Sequence, residues 1–183
     1  MDDLLNKQQK NKLLKIARNS ITEYLTNKTT PKLTEDDPVL KAEMGAFVTL
    51  HENEELRGCI GNITGSLPLF ETIRDMAIAA ATEDPRFYPV KINELKNIKI
   101  EISVLSPLKK ITDPDVIIIG KHGVLVKAGF QSGVYLPQVA VETGWSKEEF
   151  MNSLCGSKAG INADAWKKGK CEIYIFTAEV FNE

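Results

Sequence analysis

A chain of 183 residues, 43% of them hydrophobic, is long enough to bury a core as one domain or as two joined lobes. Its 23 Lys and Arg nearly balance 25 Asp and Glu, and a formal charge of −2 argues against a protein that coats nucleic acid. Three cysteines, Cys59, Cys155 and Cys171, with no C-x-x-C pair among them, argue against a disulfide framework or a zinc knuckle.

The start, MDDLLNKQQKNK, is acidic and then basic, without the apolar run of a signal peptide. No stretch is long and apolar enough to span a membrane. The expected location is the cytoplasm, with reduced thiols. A first helix is predicted from about Lys7 to Thr26, because Leu13, Leu14, Ala17, Ile21, Tyr24 and Leu25 recur at helical spacing. Lys10, Lys12, Lys15 and Arg18 lie off that stripe, either facing an anionic partner or forming a solvated face. Residues 28–43, with two prolines, read as a surface connector.

Two strands follow, GAFVTLH (45–51) and LRGCIG (56–61), around the polar turn ENEE. Ser66 is placed to cap a helix with Pro68 in its first turn, and Pro85 ends it. IKIEISVL (98–105) alternates as a half-buried strand, with Ile98, Ile100, Ile102 and Val104 on one face. GVLVKAG (123–129) and SGVYL (132–136) predict a second hairpin. Ser146 and Glu149 make a capping box for a helix through about Lys158, which Gly160 suits as an end. CEIYIFTAEVF (171–181) reads as one long final strand.

The hairpins demand antiparallel pairing, so the expected class is α+β: antiparallel sheet with helices, in two unequal lobes. Strand, turn, strand, loop and helix begin at Gly45 and again at Gly123, which fits a duplicated β-β-α unit.

The candidate site is ELRGCIGN (55–62). Strand alternation puts Arg57, Cys59 and Gly61 on one face, with Gly61 leaving space beside the sulfur. Glycines such as Gly58 and Gly61 inside a strand mark a close approach by a ligand or another backbone. An odd turn would bring Thr49 and His51 to the same face, with His51 diagonal to the thiol at roughly 7–8 Å. A guanidinium at that spacing favours the thiolate, so Cys59 could be a nucleophile, a redox thiol or a ligand contact. Free cysteine is among the most buried residue types, so Cys59 is alternatively a small core residue, and Arg57 could pair with Glu54 or Glu55.

His122 in GKHG is either a base or ligand contact, or a turn residue. Asp84-Pro85-Arg86-Phe87 either frames a cleft or simply ends a helix, and Gln138 either contacts a ligand or bonds locally. Cys155 and Cys171 read as structural. The P-loop, dinucleotide, G-x-S-x-G and H-E-x-x-H patterns are absent, so no cofactor and no metal site is expected.

Leu56-Arg57-Gly58-Cys59-Ile60-Gly61 resembles the signature hexapeptide of the AMMECR domain family, called AmmeMemoRadiSam system protein A in prokaryotes. GAFVTL, DPRF, EISVLSP, GKHGV, LPQVA and the KAG…DAW segment agree in order, so the resemblance runs from about Ala42 to Phe181. It implies a single two-lobed α+β domain over residues 1–183, with the hexapeptide near the cleft between lobes. The family's name implies association with a Memo-like protein and a radical S-adenosylmethionine protein, and carries no settled activity.

Two functions follow as expectations. One is a binding or accessory protein whose cleft, lined by Arg57, Gly58, Gly61 and His122, takes a small anionic or polar ligand or a partner segment. The other is an enzyme with Cys59 as a catalytic nucleophile for acyl or alkyl transfer.

Overall fold

A computed structural model describes residues 4–183; the first three residues of the MDDLLNKQQKNK stretch lie outside them. The chain forms two compact units, one running up to Leu105 and resuming at Glu179–Glu183, the other Ser106–Ala178. The second unit is thus an insertion between the last two strands of the first.

The first unit opens with α1 (Lys7–Asn27), capped by Asn6 and Gln9 in a reciprocal capping box. Leu13, Leu14, Ala17 and Ile21 are buried as the spacing predicts. Lys15 is exposed, while Lys10, Lys12 and Arg18 are paired within the protein. Lys10 pairs with Glu179 and Lys12 with Glu35. Arg18 pairs with Glu183 and donates to the carbonyls of Leu95 and Ile98. These contacts tie α1 to the connector and to the end of the chain.

β1 (Ala46–Glu52), β2 (Glu55–Asn62), β3 (Ile98–Leu105) and β8 (Ala178–Asn182) form an antiparallel sheet in the order β2-β1-β3-β8. Ala46, Val48 and Leu50 of β1 join Ile98, Ile100, Ile102 and Val104 of β3 in one core with α1 and α2 (Leu69–Thr82). Ser66 does not cap α2. The N–H groups of Leu69 and Phe70 donate instead to the carbonyls of Ala42 and Leu40, at 2.9 and 3.1 Å. The connector therefore supplies the partners that a helix start needs, and Leu40 itself is fully buried.

The second unit repeats the arrangement. β5 (Gly123–Ala128) and β6 (Gln131–Tyr135) form the hairpin, followed by α3 (Pro137–Thr143) and α4 (Lys147–Ser153). β7 (Glu172–Phe176) then pairs with the first hairpin strand, as β3 does in the first unit. A short strand β4 (Lys109–Ile111) completes the order β4-β7-β5-β6. The fold is α+β, with four α-helices and two four-stranded antiparallel sheets among the described residues.

Three residues of strand inside a proline-containing connection were too few to show as alternation. The predicted final strand is two strands in two sheets. It breaks at Thr177, whose N–H donates to Ser106 Oγ and whose carbonyl accepts from Ser106 N–H. Ser146 and Glu149 form the expected capping box, and α4 runs on into one π-helical turn, Leu154–Lys158.

Leu40→Ala should cost about 2–5 kcal/mol, the range for emptying a buried leucine site. Urea unfolding checks this as a fall in midpoint at unchanged slope.

Candidate functional site around the hexapeptide

The hairpin carrying Cys59 turns on two residues, Asn53 and Glu54, both left-handed at φ 53° and 66°. The expected odd turn is absent. An extra residue at Arg57 has the same effect further along the strand. Thr49 lies opposite Cys59 and Leu50 opposite Gly58, but His51 lies opposite Leu56, so Arg57 is bulged out of register. Phe47, Thr49, His51, Cys59 and Gly61 share one face, as predicted. Arg57 does not share it in the predicted way.

The direction of the Arg57 side chain is a corrected expectation. Its Nε and Nη2 donate to Glu94 Oε1 at 3.1 and 3.0 Å, and Nη1 donates to the Tyr88 carbonyl at 2.9 Å. Its partner is thus Glu94, neither Glu54 nor Glu55; Glu54 pairs with Lys99. Burial pushes the Glu94 carboxyl up. The Lys91 N–H and the Arg57 guanidinium more than offset this and leave it below the ordinary range. Arg57 lines a cavity of about 830 Å³ with Leu25, Lys28, Tyr88, Lys91 and Ile92.

Cys59 is half-buried. Its sulfur accepts a hydrogen bond from Thr49 Oγ1 at 3.2 Å. Its backbone N–H donates to Asp84 Oδ2 at 2.8 Å. β2 is an edge strand, so this N–H points away from β1 and would otherwise be unpaired. Residues 49 and 59 are therefore a non-hydrogen-bonded pair, in which side chains approach most closely.

Asp84 is only 5% exposed. Beyond Cys59 it accepts from Arg86 N–H, Nε and Nη2 at 3.1, 3.0 and 2.7 Å. The Arg86 bonds, with help from the Cys59 N–H and against the effect of burial, hold its carboxyl far below the ordinary range. The Arg86 side chain remains 55% exposed, and Nη2 makes a long 3.5 Å contact with the Cys59 carbonyl. The guanidinium beside Cys59 is thus Arg86. The DPRF stretch is both a helix stop and the brace of the hexapeptide.

The two glycines are close approaches, but by the protein's own atoms. A Cβ on Gly58 would sit 2.2 Å from the Ala80 carbonyl oxygen of α2. A Cβ on Gly61 would sit 2.3 Å from the Phe47 ring, so the space expected beside the sulfur is filled. His51 lies two residues beyond Thr49 on β1, diagonal to the thiol as expected. Glu101, which sequence reasoning missed, lies opposite Thr49 on β3. Cys59, Thr49 and Glu101 thus form one row across the sheet.

His122 belongs to the second unit. Its Nδ1 accepts from Ile118 N–H at 3.2 Å, which fits the turn reading. Burial, then Lys121 and Lys109, push its pKa down. Cys155 is fully buried, and Cys171 packs against the same core. Burial pushes Cys155 up to about 12 and raises Cys171 as well. One buried amide oxygen, Gln138 Oε1, has no partner among the described residues. No described cluster of three His, Cys, Asp or Glu residues could hold a metal ion, and no described helix is long and apolar enough to cross a membrane.

The AMMECR1 family model matches residues 14–181. The chain belongs to the AMMECR1 family. It is 43% identical over 194 residues to protein MK0488 of Methanopyrus kandleri, covering 100% of this chain and 92% of that one. To protein PH0010 of Pyrococcus horikoshii it is 42% identical over 182 residues, covering 93% and 88%. The crystal structure of PH0010, presented as an uncharacterized protein, superposes with a TM-score of 0.90, covering 99% of this chain and 94% of that one. The AMMECR1 hexapeptide is therefore seen here as a bulged edge strand held from outside by Asp84 and, through Arg57, by Glu94.

Asp84→Asn should destabilise the first unit by about 2 kcal/mol, below the full figure for a broken buried pair because Arg86 is largely in water. The folded carboxyl is depressed, so its contribution is complete above the unfolded value of about 3.9 and is lost as pH falls below it. Unfolding midpoints measured between about pH 2 and 7 should fall less steeply for Asp84→Asn than for the wild type. Gly58→Ala should cost about 1–3 kcal/mol through overpacking against α2, as thermal unfolding would register.

Proposed function

We propose that this AMMECR1 protein is a cytoplasmic binding or accessory protein, its two units serving as lobes of one domain. It acts with a Memo-like protein and a radical S-adenosylmethionine protein. In this reading the Arg57 cavity receives an acidic segment of a partner. One observation carries it: a cavity of about 830 Å³ has cations in its wall beyond the Arg57 guanidinium, which Glu94 and the Tyr88 carbonyl fix in place.

Lys28 and Lys91 add two cations to that wall, and the Arg57–Glu94 pair is internally compensated. The net potential therefore favours an anion. Tyr88, 91% exposed, and Ile92, 52% exposed, offer apolar contacts suited to a macromolecular segment. The arrangement around Cys59 supports binding over catalysis. Thr49 gives the sulfur a hydrogen bond but is no base, and Asp84 is committed to the backbone and Arg86.

A second reading keeps Cys59 as a nucleophile for acyl or alkyl transfer. The half-exposed Arg86 and the row Cys59–Thr49–Glu101 favour it. There the sulfur bonds to the transferred carbon, the leaving group departs with its electron pair, and the thiol proton passes towards Glu101 or water.

The test uses the purified full chain with the Memo-like and radical S-adenosylmethionine proteins of the same genome, by calorimetry. Capture by either is expected, weakened about tenfold by Tyr88→Ala or Lys91→Glu, the scale of one interface anchor, and unchanged by Cys59→Ala. Absence of binding to both partners, or binding indifferent to the cavity variants, would overturn the proposal. Loss of a chemical modification of a partner only in Cys59→Ala would favour the nucleophile.

A further inference from the structure

The second unit contains a separate cavity of about 590 Å³, lined by Lys109, Ile111, Val116, His122 and Ile175 among others. Its chemistry begins with a break in strand patterning. On the paired strands β4 and β7, Ile111 lies opposite Ile173 and Lys109 opposite Ile175. These four residues share a face, and the three isoleucines pack against the second core. Lys109 is the charged member of an apolar row.

Its neighbour Lys110, also in the lining, is paired with Glu172. Lys109 has no ion-pair partner among the described residues, and its charge helps push the pKa of His122 down. His122 uses Nδ1 to accept from Ile118 N–H. The neutral ring then carries its proton on Nε2, which is left as a donor. The cavity therefore joins one unpaired ammonium and one spare imidazole N–H to walls of Ile111, Val116 and Ile175. Asp113, also in the lining, accepts from Asp115 N–H; its carboxylate opposes any anion, and a doubly charged one more than a singly charged one.

We infer that this cavity is a binding site for a monocarboxylate on a short apolar body, with Lys109 and His122 holding the carboxylate. The volume suits a small organic ligand, and apolar walls with a few convergent polar groups are the usual composition of such a site. The apolar body lies against the isoleucine and valine walls, and the carboxylate meets the Lys109 ammonium. This site is independent of the Arg57 cavity, since every lining residue belongs to the inserted unit.

The chain has only two histidines, His51 and His122, so their ring proton resonances can be followed and assigned with a His51→Gln variant. The wild-type chain is titrated with benzoate, then with benzyl alcohol as the uncharged analogue and with inorganic phosphate. Benzoate is expected to shift the His122 resonances saturably and to raise the pH of their titration midpoint, while His51 stays put. Benzyl alcohol and phosphate are expected to bind at least about tenfold more weakly, and Lys109→Gln to weaken benzoate by a similar factor. Lys109 is exposed, so this variant should keep the unfolding midpoint of the wild type. His122 resonances that ignore benzoate would overturn the assignment. So would an unaltered response in folded Lys109→Gln, or phosphate acting as well as benzoate.

Discussion

The hydrogen bond from the Cys59 N–H to the Asp84 carboxylate organises the first unit's site. An edge strand beside a helix has a row of main-chain groups with no ladder to join. Asp84 meets one of them from the segment leaving α2, and its own charge is met by Arg86 in the same segment. A buried carboxylate without such a partner would shift towards its neutral form. Here the guanidinium and two backbone N–H groups keep it ionised. The bond also explains why Gly58 is glycine: α2 approaches the strand so closely that its Ala80 carbonyl occupies the place of a Cβ. Carboxylate and glycine together hold strand and helix exit in one relation.

The bulge at Arg57 separates two tasks within six residues. Had the strand run regularly, guanidinium and thiol would have been same-face neighbours. The extra residue turns Arg57 to Glu94 and the Tyr88 carbonyl, while Cys59 stays on the face of Thr49. Arg57 and Arg86 then act as a pair of braces. One joins β2 to residues 88–94, the other reaches β2 through Asp84. The segment after α2 is thereby pinned twice to a single edge strand. A ligand or partner that moved residues 84–94 would also move the surroundings of Cys59.

Much of this architecture was legible because burial imposes period on sequence. The alternation in IKIEISVL, the apolar stripe of α1 and the Ser146 capping box each report a local rule that tertiary packing reinforced. Errors fell where a residue's partner lies far along the chain. Ser66 had the chemistry of a cap, but the connector's carbonyls arrived first. CEIYIFTAEVF had the composition of one strand, but Ser106 took the backbone of Thr177. A bulge changes register without changing residue type, so the direction of Arg57 could not be read from LRGCIG. The role of Asp84 was half visible: DPRF was read as either framing a cleft or ending a helix, but the contact with Cys59 spans 25 residues.

The glycines bear on the choice between recognition and catalysis. Two glycines beside a cysteine suggest an open floor awaiting substrate. Here the Phe47 ring covers Gly61 and the α2 backbone covers Gly58, so neither glycine offers bare main chain to a small molecule. Both instead permit close internal packing, which makes the strand rigid. Rigidity serves recognition by lowering the entropy lost when a partner docks. It serves a nucleophile only if a base is held as firmly, and the group bonded to the sulfur is the Thr49 hydroxyl. Catalysis through Cys59 would therefore require Glu101 to take the proton across Thr49, or a proton acceptor brought by the bound partner.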